Sequence, residues 1–257
     1  MHAELTLNFS LLYGFLLVLA RVGGVIAFVP IPGISAGPEA SRIVLALALT
    51  LALFPVWPAP AVEGPVVGTL LGWMAAEAAF GLTIGVAVAF LLEGIQMAAQ
   101  MIGLQAGYSF ASTIDPTTQA DTTSLQLVAQ LLAGSLFFAF GFDRQIIRIL
   151  AKSLASVPGG TYALNNSIVE AITRLGSAIF VTGLQLAAPV LALLLLLDIT
   201  FAVLGRLQTQ LQLLSLSFSV KMLVGLAFLT GILSFFPAVF ARSGAATFHT
   251  LMRLLER

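Results

Sequence analysis

Apolar residues run along this chain in long, nearly unbroken stretches, not in the one-faced pattern of a soluble helix. The stretches cover roughly 9–29, 40–57, 66–104, 124–142, 167–203 and 211–240. Each approaches or exceeds the ~20 residues that a helix needs to cross a hydrocarbon layer. Lipid offers no partner to an exposed backbone N–H or C=O, so these runs are predicted to be helices and the fold class all-α. Their breaks are legible. "VPIPGISAGPEAS" ends the first run, where Pro30 and Pro32 withhold the N–H groups a continuing helix needs, and Pro38 stands just ahead of the second run. "FPVWPAPAVEGP" ends the second, with Trp57 suited to a membrane–water interface. "VPGGTYALNNS" separates the fourth from the fifth, with Ser167 as a candidate cap.

Two runs are too long for one simple crossing. At 1.5 Å per residue, 66–104 makes a helix of ~58 Å and 167–203 one of ~55 Å, against a ~30 Å hydrocarbon core. Bends are expected near Gly94 and at Pro189; otherwise the helices re-enter or extend well beyond the bilayer. The expected architecture is therefore an integral membrane protein of about six long or kinked hydrophobic helices.

Composition agrees, with 59% hydrophobic residues, 9% charged and a mean hydropathy of +1.06. A formal net charge of zero argues against a nucleic-acid partner. The absence of cysteine excludes disulfides, thiolate metal sites and a Cys nucleophile. "MHAELTLNFS" carries Glu4 and no Lys or Arg, so residues from Phe9 onward read as a retained helix and not as a cleaved signal. Basic residues cluster at Arg144/Arg148/Lys152, Arg206/Lys221 and Arg242/Arg253/Arg257. One hydrophobic run separates each cluster from the next, so single crossings would place neighbouring clusters on opposite membrane faces, against the positive-inside rule.

Candidate chemistry is sparse. "GPVVG" (64–68), "GLTIG" (81–85) and "GLQAG" (103–107) each set two glycines four apart on one helix face, the spacing of close helix packing. Glu93, Gln96, Gln100, Gly103 and Gly107 follow at three- and four-residue steps and share a face, with Met97 and Met101 beside them. Gln126 and Gln130 repeat the spacing beyond "GLQAGYSFASTIDPTTQADTTS" (103–124), a long stretch without Lys or Arg. Amides on such a face either bond neighbouring helices or line an aqueous path. Arg21, Glu77, Glu93 and Asp198 fall within apolar runs and require a partner or water. No HExxH, GxSxG or P-loop is present, and the histidines, His2 and His249, lie near opposite ends of the chain. No catalytic residue, cofactor site or metal site is expected, and Asp115 and Asp121 suit turns and caps. A secondary transporter using Glu77, Glu93 and Asp198 as coupling acids is the rival reading, and a scaffold for neighbouring membrane proteins is another.

"RVGGVIAFVPIPG", "QMIGLQAGYSFASTIDP" and "AAPVLALLLLLDITFAVLGRLQTQLQLLSLSFSVKMLVGL" occur in this order and spacing. Together they resemble the FliR/SctT family over about residues 9 to 240. The most specific signal is G-x-Q-x-G-x-S from Gly103, then Asp115–Pro116, then A-P-V at 188–190 and R-x-x-x-Q from Arg206 to Gln210. The resemblance implies a non-enzymatic subunit of the FliP–FliQ–FliR gate of flagellar type III secretion, in a helical assembly raised partly out of the bilayer plane. It implies FliP-like and FliQ-like membrane partners, FlhB-like and FlhA-like proteins beside them, unfolded export substrates, and a place in the bacterial inner membrane at the flagellar basal body. It also implies a FliP-like part at 1–166 with a plug loop at 106–122, a FliQ-like hairpin at 167–240 and a basic tail at 241–257. Tyr108, Phe110 and Ile114 become the plug's stoppers and Asp115–Pro116 its turn. Glu93, Gln96, Met97, Gln100, Met101, Gln105, Gln126 and Gln130 become pore-lining or helix-contact residues, and Arg206, Gln210 and Lys221 the hairpin turn. The family usually shows Pro at the positions of Thr209 and Ser219; here "TQLQLLSLSFSVK" looks instead like the FliQ turn.

Overall fold

Every hydrophobic run predicted from the sequence has a helix in the computed structural model. The model describes residues 9–29, 39–57, 67–108, 124–157, 159–162, 166–207, 213–232 and 234–255. The helices are α1 (Phe9–Phe28), α2 (Glu39–Ala52), α3 (Val67–Ala106), α4 (Ser124–Ala139), α5 (Phe142–Ser156), α6 (Asn166–Leu207), α7 (Leu213–Ile232) and α8 (Phe236–Leu255), with a 3-10 turn at Phe54–Val56. Among the described residues α1, α3 and α6 are long and apolar enough to cross a membrane. The chain is an all-α integral membrane protein.

The two overlong runs are single helices. Gly94 does not interrupt α3, which runs 40 residues, and Pro189 lies inside the 42 residues of α6 without ending it. At 1.5 Å per residue these are ~60 and ~63 Å, about twice the hydrocarbon thickness. Ser167 is not the cap expected of it. Helix α6 begins one residue earlier, which places Ser167 in the first turn.

Helices α5 and α8 lie largely outside the predicted apolar runs because they are amphipathic. Helix α5 buries Phe142, Ile146, Ile149, Leu150, Ser153 and Leu154 and exposes Arg144, Arg148 and Lys152. In α8, Phe236, Phe240, Phe248 and Leu251 are buried, while Arg242, His249 and Arg253 face outward.

The chain forms two compact units. The first is Met1–Ala89, Gly141–Leu175 and Ala246–Arg257; the second is Phe90–Phe140 and Gly176–Ala245. The first is organised around charge. Arg21 and Glu77 form an ion pair with side chains only 1% exposed. Arg21 Nη1 also donates to Ser153 Oγ at 3.0 Å, Nη2 to the Val157 carbonyl at 3.4 Å, and the guanidinium lies 4.6 Å from the Phe80 ring centroid. The other Glu77 oxygen accepts the Gly160 N–H at 2.9 Å, from a residue at φ +78° that Trp73 overlies.

Beside the ion pair α1 crosses α3 with the backbones in contact. A Cβ at Gly81 would strike the Arg21 carbonyl, one at Gly24 would lie 2.5 Å from the Ala78 carbonyl oxygen, and one at Gly85 2.7 Å from that of Val25. Gly68, by contrast, faces open space. Trp57 closes the α2 end, donating from Nε1 to the Thr50 carbonyl at 2.9 Å and packing on Phe15 and Phe54.

Gly81→Ala should lower the stability of the detergent-solubilised protein by at least about 2 kcal/mol through overpacking, whereas Gly68→Ala should cost nothing. Thermal melts of the two variants decide this. Arg21→Met should cost about 3–5 kcal/mol by stranding the Glu77 carboxylate, and adding Glu77→Leu should recover much of the loss. A double variant less stable than the single one would contradict this account of the pair.

Candidate functional site

The amide stripe and the hairpin residues fall in the second unit, built from the later part of α3, α4, most of α6, α7 and the start of α8. Helical periodicity sets the stripe. Steps of three and four keep Glu93, Gln96 and Gln100 on one side of α3, while Leu91, Leu92, Ile95, Ala98, Ala99 and Ile102 pack inward. Glu93 and Gln100 are exposed, and Gln96, Met97, Met101 and Gln105 are half-buried. The Gln96 amide reaches the Glu93 carboxylate at 3.4 Å. Gln126 and Gln130 are half-buried on α4. Small residues let α6 close on α3: a Cβ at Gly94 would lie 3.2 Å from Thr182, and one at Gly183 3.2 Å from Met97.

The end of α3 is fastened at three points. Gln105 donates from Nε2 to Asp198 Oδ2 of α6 at 2.9 Å, and Asp198 Oδ1 forms an ion pair with Lys221 of α7. Gly107 turns the chain at φ +88°, where a Cβ would press to 3.0 Å from the Phe218 ring, a contact that only glycine makes without strain. Tyr108 then donates its hydroxyl to the Met222 carbonyl at 2.8 Å. One carboxylate thus ties together three helices, and the phenol one residue past the turn adds a second tie to α7.

Sequence spacing grouped the stripe but did not pair Asp198 with Lys221, which are far apart in the chain and belong to different predicted runs. Of the predicted plug, Tyr108 is placed as described; Phe110, Ile114, Asp115 and Pro116 lie outside the described residues, as does Gln210 of the hairpin turn. Arg206 is exposed in the last turn of α6. Among the described residues no three His, Cys, Asp or Glu side chains come together.

A family profile described as bacterial export proteins, family 1, matches residues 12–246. The flagellar biosynthetic protein FliR of Escherichia coli (strain K12) is 31% identical over 216 residues, 84% of this chain and 82% of its own length. That of Bacillus subtilis (strain 168) is 24% identical over 245 residues, 94% of each chain. The surface presentation of antigens protein SpaR of Salmonella typhimurium (strain LT2) is 25% identical over 230 residues, 86% of this chain and 82% of its own.

The Asp198–Lys221 pair, with side chains 34% and 13% exposed, should show a coupling of about 1 kcal/mol, above that of an ordinary surface pair. A double-mutant cycle with Asp198→Asn and Lys221→Met, read by thermal unfolding in detergent, measures it. Additive losses would mean that the pair does not hold α6 to α7.

Proposed function

The chain belongs to the bacterial export proteins, family 1, and we propose that it serves as a core, non-enzymatic subunit of a flagellar-type protein export gate. It is a membrane component of flagellar-type export machinery. Within that machinery it helps to form and seal the pore through which unfolded flagellar proteins leave the cell. The observation that carries this reading is the stripe of amides and methionines on α3, with Glu93 as its one charge, which ends where Gln105, Gly107 and Tyr108 are fastened to α6 and α7. Residues 109–123 follow that anchor directly. Tyr108, Phe110 and Ile114 act as the seal, and Asp115–Pro116 as its turn. Glu93, Gln96, Met97, Gln100, Met101, Gln105, Gln126 and Gln130 line the path or its helix contacts.

The partners are FliP-like and FliQ-like membrane subunits, with FlhB-like and FlhA-like proteins beside them, in the bacterial inner membrane at the flagellar basal body. Residues 1–166 act as the FliP-like part and 167–240 as the FliQ-like hairpin, and 241–257 extend as a basic tail. The Asp198–Lys221 pair supports the hairpin, because its members stand about equally far from the 208–212 connection. An injectisome gate is the nearest variant of this reading; the higher identity to the Escherichia coli FliR favours the flagellar one. The transporter reading loses ground because two of its three coupling acids, Glu77 and Asp198, are held in ion pairs.

Deleting residues 108–117 should raise ion leak across the membrane in cells carrying the assembled gate, while Glu93→Gln should leave export near its normal level. Membrane-potential dye signals and the export of filament protein measure the two effects. A silent deletion combined with loss of export in Glu93→Gln would overturn the gate and favour a carboxylate-coupled transporter.

A further inference from the structure

One face of α7 is laid along the end of α3. Phe218, Lys221, Met222 and Gly225 follow at steps of three, one and three, so they share a side of that helix. The Phe218 ring bounds Gly107, where a Cβ would press to 3.0 Å. The Met222 carbonyl accepts the Tyr108 hydroxyl at 2.8 Å. Lys221 meets Gln105 through Asp198, whose Oδ2 takes the Gln105 amide at 2.9 Å. A Cβ at Gly225 would stand 3.3 Å from that of Ala106, and both residues are buried. Elsewhere on α7, Leu216, Leu223 and Leu226 stand exposed.

These contacts decide which part is free to move. Separating α7 from α3 would break the Tyr108 bond, uncover the close approach of Ala106 and Gly225, and divide Gln105 from Lys221 at the carboxylate they share. All of this would have to happen at once. A swing of the chain beyond Tyr108 breaks none of these contacts. The direction in which the chain leaves α3 is also built in, because Gly107 sits at φ +88°, where residues with a Cβ are strained, and the Phe218 ring bounds the turn.

We propose that this face of α7 is a fixed seat for the seal. Phe218 and Gly225 are positioning residues that hold the end of α3, and Tyr108 is the last residue that stays in place when the pore opens. Tyr108 thus serves the seal through its hydroxyl, as a pin. The inference rests on the gate reading above and adds to it that a helix of the FliQ-like hairpin sets the position of a seal carried by the FliP-like part. A weakened seat lets the end of α3 wander, and ions then leak through a gate that is fully assembled.

Two measurements on cells carrying the assembled gate test this. Tyr108→Phe and Phe218→Leu should each raise ion leak about fivefold, while both variants still co-purify with the accompanying subunits. Unchanged leak in both would overturn the seat, and so would leak that rises only where co-purification fails, which would make the contact purely structural. The chain has no cysteine, so Ala106→Cys with Gly225→Cys gives a unique thiol pair, near the roughly 3.8 Å Cβ spacing of a disulfide. Copper phenanthroline should close it, and export of filament protein should continue as in the same variant kept reduced. Export that stops on oxidation and returns with dithiothreitol would overturn the fixed seat and make α7 a moving part. Thiols that stay open under the oxidant would contradict the close approach itself. The deletion of 108–117 separates the two readings. A silent deletion removes the gate, whereas a leaking deletion beside tight Tyr108→Phe and Phe218→Leu variants removes only the seat.

Discussion

Two opposite charges sealed from water, Arg21 and Glu77, fix the arrangement of the first unit. A buried guanidinium is tolerated only when its donors are spent, and those of Arg21 reach α3, α5 and the chain just beyond α5. Glu77 reaches onward to the turn at Gly160. The glycine crossing depends on the same residue through its backbone, since the Arg21 carbonyl occupies the space where a Gly81 side chain would stand. Charge pairing and close backbone contact therefore demand one register of α1 on α3. Replacing the pair by apolar side chains need not weaken the unit; what the pair excludes is the neighbouring register, in which a charge would stand alone.

The second unit is fastened by weaker means. Its ion pair is only partly buried, and the remaining ties are an amide and a phenol. The basic clusters are not all free loop charges. Lys221 contributes to the middle basic cluster, yet its charge is answered by Asp198 within the unit. Arg144, Arg148 and Lys152 ride on an amphipathic helix and do not flank a simple span.

Long apolar runs were readable because lipid demands length and hydrophobicity together, and α1, α3 and α6 satisfy both. Helices α5 and α8 escaped a reading based on runs, although their signal was present: Phe142, Ile146 and Leu150 recur at steps of four, with Arg144 and Arg148 between them and Lys152 just beyond. Glycine spacing was ambiguous for a different reason. The same four-residue step occurs at 81–85, where a helix lies against it, and at 64–68, where Gly68 faces open space. Partners of intramembrane charges were not legible at all. Arg21 and Glu77 are 56 residues apart in the chain, and only the packing of α1 on α3 brings them together.

The disposition of charge bears on the proposed conduit. A wall passed by unfolded chains of every composition must not hold any of them. At a few ångströms and an effective dielectric near 20, one fixed charge attracts an opposite one by about 4 kcal/mol, whereas a side-chain amide hydrogen bond is worth about 1 kcal/mol net and exchanges readily with water. The charges on the membrane-length helices are largely confined to pairs, Arg21 with Glu77 and Asp198 with Lys221, which leaves Glu93 as the one carboxylate on the α3 stripe, half answered by Gln96. In the proposed conduit, Gln100, Met97 and Met101 would continue the face with groups that wet or brush a passing chain without gripping it. At the end of that face the requirement reverses. The proposed seal would have to be held, and there the helix meets an ion pair, a glycine turn and a phenol bonded to the neighbouring backbone.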